Sequence, residues 1–258
     1  MAKQERAIRT RNALVESAAA LFDRDGFEVA SLATISARAG VSSGALHFHF
    51  PSKAELADAV VAAAGERLVR ITREREALPL QTLIDASHEL VQGLRSDAVL
   101  RAGFALSSAN GGHGQPAAKP AAAKPATAEP QMAEPQTAEP AADLRRLWCE
   151  WVESVVARAE REGLLAPDVT AEEVAATVVA VAAGHAALGH QDPSWLERAP
   201  LTRFWAFLLP RVVGAARAGL FVASGNGIGD RNGNEDGSEG GSEGRDQSGD
   251  EGGSVDLS

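Results

Sequence analysis

The residues with the most chemistry to offer sit early, in AGVSSGALHFHFPSK, residues 39–53. Small hydroxyl and glycine positions (Ser42, Ser43, Gly44, Ala45) are followed by a ring-bearing run (His47, Phe48, His49) and by Lys53. A short helix that opens on such residues has an uncluttered end. Its backbone N–H groups and hydroxyls can bond phosphate oxygens, and its side chains can approach base edges in a DNA major groove. His47, His49 and Lys53 add donors for the phosphate backbone. The expected DNA-contacting set is therefore Ser42, Ser43, Gly44, Ala45, His47, Phe48, His49 and Lys53, with double-stranded DNA as the partner.

No comparable set points to catalysis. There is no metal-ligand spacing, Gly-rich phosphate loop or nucleophile elbow, so no catalytic residue, metal or cofactor is expected. The single cysteine, Cys149, excludes an internal disulfide framework and reads as a packed side chain. Net charge is −10, but nine acids and two arginines in residues 224–258 carry −7 of it, while residues 1–53 carry seven Lys/Arg against five Asp/Glu. The acidic total is thus compatible with a polyanion partner for the N-terminal third. The start of the chain shows no secretory signal pattern, and the most apolar run, residues 174–188, is short for a bilayer span. A cytoplasmic protein without a membrane partner is expected.

The elements that must carry these residues are helices. Ala, Leu, Val, Glu and Arg dominate, and no run alternates like a strand. Periodicity and punctuation predict helices over 10–25, 31–39, 42–48, 52–75, 81–94, 97–107, 143–162, 170–188 and 195–218. Gly26, Gly40 and Gly163 stand at helix C-termini; Ser31, Ser42, Ser52 and Thr170 stand at N-caps. Leu14, Ala18, Leu21 and Phe22 share one face of the first helix, and Leu32, Ile35 and Ala39 one face of the second. Two short helices joined by a Gly-containing turn make a helix-turn-helix, with Val41 in the angle and Ala45, Leu46 and Phe48 facing inward or packing at the helix end. Residues 109–140, with their TAEP, MAEP and QTAEP repeats, and residues 224–258, rich in Gly, Ser and acids, read as disordered.

The stretch ALVESAAALFDRDGFEVASLATISARAGVSSGALHFHFPSKAELADAVV resembles the N-terminal domain of the TetR family of transcriptional repressors. Many members have a phosphate-touching tyrosine where this chain has His47; the chain contains no tyrosine. GALHFHFPSKAELA and DAVLRAGFALSS are more similar to the γ-butyrolactone autoregulator receptors than to the drug-sensing members. The resemblance implies an all-α, TetR-like fold: a three-helix DNA-binding domain in residues 1–53 and a ligand-binding and dimerisation domain in residues 54–223.

It also implies a tryptophan over the ligand, matched by Trp148 with Trp151 as the fallback. Both lie on one helix face, and core packing of the pair is the reading the residues alone give. Where related receptors have a threonine before Gly184, this chain has Ala183, so a polar contact to a ligand carbonyl is either missing or supplied by Thr177 or His185; His185 alone reads as a packed or dimer-face residue. The implied partners are a small-molecule inducer (γ-butyrolactone, butenolide, furan or antibiotic) and a second copy, with Phe204, Phe207, Leu208 and Val212 as the apolar stripe of the dimer or of the monomer core. The implied function is a ligand-responsive repressor of antibiotic or other secondary-metabolite genes. The alternatives are a pseudo-receptor answering to an antibiotic intermediate, and an interaction protein working through its tails.

Overall fold

The computed structural model describes residues 2–110 and 143–226. Most of the expected insertion and tail, residues 111–142 and 227–258, lies outside the described residues. Among the described residues all regular structure is helical: α1 (Ala2–Asp25), α2 (Leu32–Ala39), α3 (Ser43–His49), α4 (Lys53–Ile71), α5 (Pro79–Ser96), α6 (Ala98–Asn110), α7 (Leu144–Arg161), α8 (Ala171–Gln191), a 3-10 turn (Pro193–Leu196), α9 (Arg198–Val213) and the single turn α10 (Ala215–Ala218).

Local chemistry sets most boundaries. The hydroxyls of Ser31, Ser42, Ser52 and Thr170 accept the N–H of the residue three positions on, and Thr170 with Glu173 closes a full capping box. Gly26, Gly40 and Gly163 adopt left-handed backbone where the helices before them end. Two expectations are corrected. α1 begins at Ala2, because its first turns are built of good helix formers with no apolar face to betray them. The helix expected over 195–218 is broken: Trp195 belongs to the 3-10 turn, and Gly214, at φ 80°, ends α9.

Helices α1–α3 form a head around Leu14, Ala18, Leu21, Phe22, Ile35 and Leu46. Helices α4–α9 form the body, with α4 passing from one to the other. Helix α6 packs on both α4 and α1, so head and body share a wall. Gly103 makes that wall possible: a Cβ there would lie 2.2 Å from Ala64 Cβ.

The last described residues are tied to α5. Gln81 exchanges two hydrogen bonds with Val222, Asp85 accepts from Asn226 N, and the Arg198 guanidinium reaches the carbonyls of Ser224 and Gly225. Residues 224–226 thus belong to the folded body, although the sequence groups them with the acidic tail. His88 Nε2 donates to the Ala223 carbonyl, and burial pushes its pKa below the ordinary value, the bond opposing the shift. A depressed folded-state pKa means that the unfolded chain takes up the proton first. This stability is therefore complete above the ordinary histidine range, near pH ~6.5, and is lost as pH falls. Thermal melts from pH 8 to 5 will show a steeper loss for the wild type than for His88→Gln; parallel curves would remove this role.

Candidate functional site: the helix-turn-helix head and the tryptophan-bearing body

The turn between α2 and α3 is closed by Gly40, at φ 68°, whose N–H reaches Ala37 O, while Val41 N–H reaches Ser36 O. Val41 packs against the core below, as its position in the angle predicts. Leu46 is wholly buried and anchors α3; the other side chains of its first turns stay outside. Ser42 uses its oxygen to accept from Ala45 N at 3.2 Å. Ser43, Gly44 and His47 are exposed, Ala45 and His49 are half-buried, and open space surrounds the Gly44 Cα. Of the two placements expected for Phe48, facing inward or packing at the helix end, the inward one is corrected: it is 82 % exposed and meets His49 edge-on at 5.3 Å. The ring that enters the core is Phe50, covered by the Arg11 guanidinium at 5.2 Å.

Lys53 is committed elsewhere. Its Nζ donates to the carbonyls of Phe27, Glu28 and Ala30 at 2.8, 3.2 and 3.2 Å and lies 4.4 Å from the Phe27 ring centre. All three ammonium donors are used, so Lys53 fixes the α1–α2 loop against the start of α4 rather than reaching outward. Lys53→Met keeps the stem but drops the three bonds. It will lower the melting temperature and weaken DNA binding with little change in the salt slope, whereas loss of a phosphate contact would lower that slope by about one.

In the body, Trp148 is buried and Trp151 half-buried, with ring centres 5.2 Å apart at 32°. The rest of the expected ligand set is not gathered with them. Thr177 and Ala183 lie exposed on α8, and the Thr177 hydroxyl donates back to Glu173 O at 2.7 Å. His185 is buried, and its Nδ1 donates to Trp195 O at 2.7 Å, pinning the 3-10 turn. Val212 is also a core residue, with Phe204 and Leu208 half-buried, whereas Phe207 is 84 % exposed. Burial raises the Cys149 thiol pKa, which disfavours the thiolate.

One ion pair crosses the joint between head and body, and a second lies within the body beside it. Arg101 on α6 holds Asp23 on α1 through both carboxylate oxygens at 2.8–3.1 Å and also donates to the carbonyls of Leu94 and Arg95 at the end of α5. Arg67 on α4 holds Asp97 at the start of α6. An open cleft of about 430 Å³ lies there, lined by Glu16, Arg67, Ser96, Asp97, Ala98 and Val99. Arg101 is not distinguishable in the sequence from any other helix arginine, because its partners lie up to 78 residues away.

Residues 14–60 match the family described as bacterial regulatory proteins, tetR family. With this reading head and this helical body, the chain carries the N-terminal domain of the tetR family on a TetR-like, all-helical fold. It is similar to the A-factor receptor protein of Streptomyces griseus, 41 % identical over 107 residues; the match spans 42 % of this chain and only 38 % of that protein. It is also similar to a crystal structure of a γ-butyrolactone receptor (ArpA-like protein), at TM-score 0.64 and 27 % identity over 85 % of this chain and 96 % of the other. The TetR family protein CprB from Streptomyces coelicolor, solved in complex with its biological operator sequence, aligns at TM-score 0.60 and 26 % identity over 84 % and 94 % of the two chains.

Proposed function

We propose that the protein is a cytoplasmic, non-enzymatic transcriptional repressor that binds operator DNA as a homodimer and is released by a γ-butyrolactone-type signal, so controlling antibiotic or other secondary-metabolite genes. The observation that carries this reading is the outward presentation of Ser43, Gly44, His47 and Phe48 by an α3 whose only fully buried side chain is Leu46. The similarity to a receptor for A-factor and to γ-butyrolactone receptors supports the ligand class; the operator complex of CprB supports DNA as the partner.

The dimer face is argued from α8 and α9. By length and composition α8 could cross a membrane, and only about a fifth of it is buried. Its apolar run, residues 174–188, is short for a bilayer span, but the helix extends beyond that run at both ends. Its buried residues include His185, held by a core hydrogen bond. Its exposed face carries Ala176, Ala180, Ala183 and Ala187, spaced four and three apart. Such a stripe lets a second helix approach closely, and Phe207 on α9 supplies a large apolar side chain for the same purpose.

The switch then has two states. Two α3 helices enter successive major grooves when their separation matches one turn, ~34–36 Å. A ligand in the body favours a different placement of α4 and α6, which Arg67 and Asp97 tie together, and Arg101 with Asp23 passes that change to the head. Release is only as strong as the difference in ligand affinity between the states. A gel shift with the DNA upstream of the protein's own gene, with and without an acyl γ-butyrolactone, tests the reading. A retarded band that the lactone dissolves is expected; a band that no lactone, butenolide or furan relieves would remove the sensing half.

A further inference from the structure

Residues 221–226 follow α10 and belong to no helix, yet six of their backbone atoms are held by side chains. Gln81 Oε1 accepts the Val222 N–H at 2.8 Å, and Gln81 Nε2 donates to the Val222 carbonyl at 3.3 Å. His88 Nε2 donates to the Ala223 carbonyl at 3.0 Å. The Arg198 guanidinium donates to the Ser224 carbonyl at 2.8 Å and to the Gly225 carbonyl at 3.1 Å. Asp85 accepts the Asn226 N–H at 2.8 Å. Five successive residues are thus bound, and none of their side chains takes part in these bonds. Gln81, Asp85 and His88 are spaced four and three apart on one face of α5, and Arg198 opens α9.

Two further contacts complete the fit. Phe221 is buried at the head of the segment. Gly225 stands at φ 74°, and a Cβ there would lie 3.1 Å from His88 Cδ2 and 3.3 Å from Asp85 Oδ1. A chain end that only covered apolar surface would need Phe221 and nothing more. Here four polar side chains from two helices converge on one stretch of backbone, the manner in which a bound peptide is recognised through its main chain.

We infer that α5 and α9 build a peptide-binding groove with the pattern Phe-x-x-x-Gly, and that its occupant is the chain's own residues 221–226, which latch the start of α9 onto α5. The groove tolerates the residues between because it reads groups that all residues except proline carry. With the latch shut, α9 and α5 move as one unit. Phe207 on α9 is then presented to the second copy in a fixed position, a consequence that rests on the dimer reading above.

The test uses full-length protein. Gln81→Leu removes both bonds to Val222. It should lower the melting temperature by about 2–8 °C and speed amide exchange about tenfold, both in residues 221–226 and in the first turn of α9. Dimer dissociation, read by sedimentation, should rise about tenfold with it. Val222→Thr changes an exposed side chain that the bonds ignore, and should match the wild type. The probe for the groove is a synthetic peptide of residues 219–226, added at millimolar concentration. It should restore the melting temperature of Phe221→Ala/Gly225→Val, in which the groove is intact and its occupant spoiled. It should do nothing for Gln81→Leu/Arg198→Met, in which the groove is spoiled. Wild-type exchange in α9 for Gln81→Leu, or a peptide that restores neither or both of the double variants, overturns the latch and leaves the dimer reading standing. Exchange and peptide rescue as expected in a wild type that sediments as a monomer supports the latch and overturns the dimer reading alone.

Discussion

Gly103→Ala will lower the melting temperature by several degrees and weaken operator binding at least tenfold, although residue 103 touches no DNA. The added Cβ would lie 2.2 Å from Ala64 Cβ and 3.3 Å from a Leu144 methyl. Both β-carbons are fixed to helix backbone, so no rotamer change relieves the overlap, and α4 and α6 must part. Overpacking of this kind costs about 1–3 kcal/mol, or roughly 2–10 °C in a body of this size. The effect on DNA follows from what α4 carries: its N-cap is Ser52, three residues after the end of α3, and Lys53 in its first turn grips the α1–α2 loop. A displaced α4 moves α3 with it. Melting curves and fluorescence anisotropy on the same preparation test this. Wild-type values in both would show that the close crossing of α4 and α6 does not set the reading head.

The second large effect is Leu46→Asp, which will abolish DNA binding while leaving most of the helical signal intact. Leu46 is completely buried, and the carboxylate would enter a head core of Leu14, Ala18, Ile35 and Phe50 with no partner. Burying an unpaired charge there costs more than a small head can sustain. Leu46→Ala, at about 2–5 kcal/mol, should give a partial defect, and Leu46→Met little or none. The body keeps its own core around Leu83, Trp148, Val156 and Trp205, so circular dichroism should fall only by the share of α1–α3. A Leu46→Asp protein that still binds DNA would mean that another surface reads it.

Local chemistry made the head legible. Serine caps, left-handed glycines and the 3.6-residue spacing of Leu32, Ile35 and Ala39 are all short-range signals, and they placed α2 and α3 within a residue. The errors come from contacts made across the fold. Phe48 and Phe50 are the same residue type two positions apart, and only the end of α3 decides which one enters the core. Lys53 sits in a motif rich in DNA contacts, yet its three acceptors come from a loop 23–26 residues earlier.

The body was less legible because α8 is mostly alanine and valine, which suit core, cavity and dimer face alike. Nothing local separates exposed Ala183 from buried Ala175 on α8, or tells that Val212 points inward while Phe207 points out. Trp205 is the largest wholly buried side chain. Its indole N–H has no partner among the described residues, and a missing hydrogen bond has no sequence signature. The strap of residues 221–226 was hidden for a similar reason: Gln81, Asp85 and His88 lie a turn apart on α5, but their backbone partners are about 140 residues away.

Hydroxyl-radical footprinting of the purified protein on genomic duplex fragments, at modest ionic strength, is the most direct measurement of whether α3 reads DNA. Two protected stretches centred one helical turn apart are expected, both lost in Leu46→Asp and both fading as an acyl γ-butyrolactone is added. Fragments cleaved uniformly at every protein concentration would contradict it.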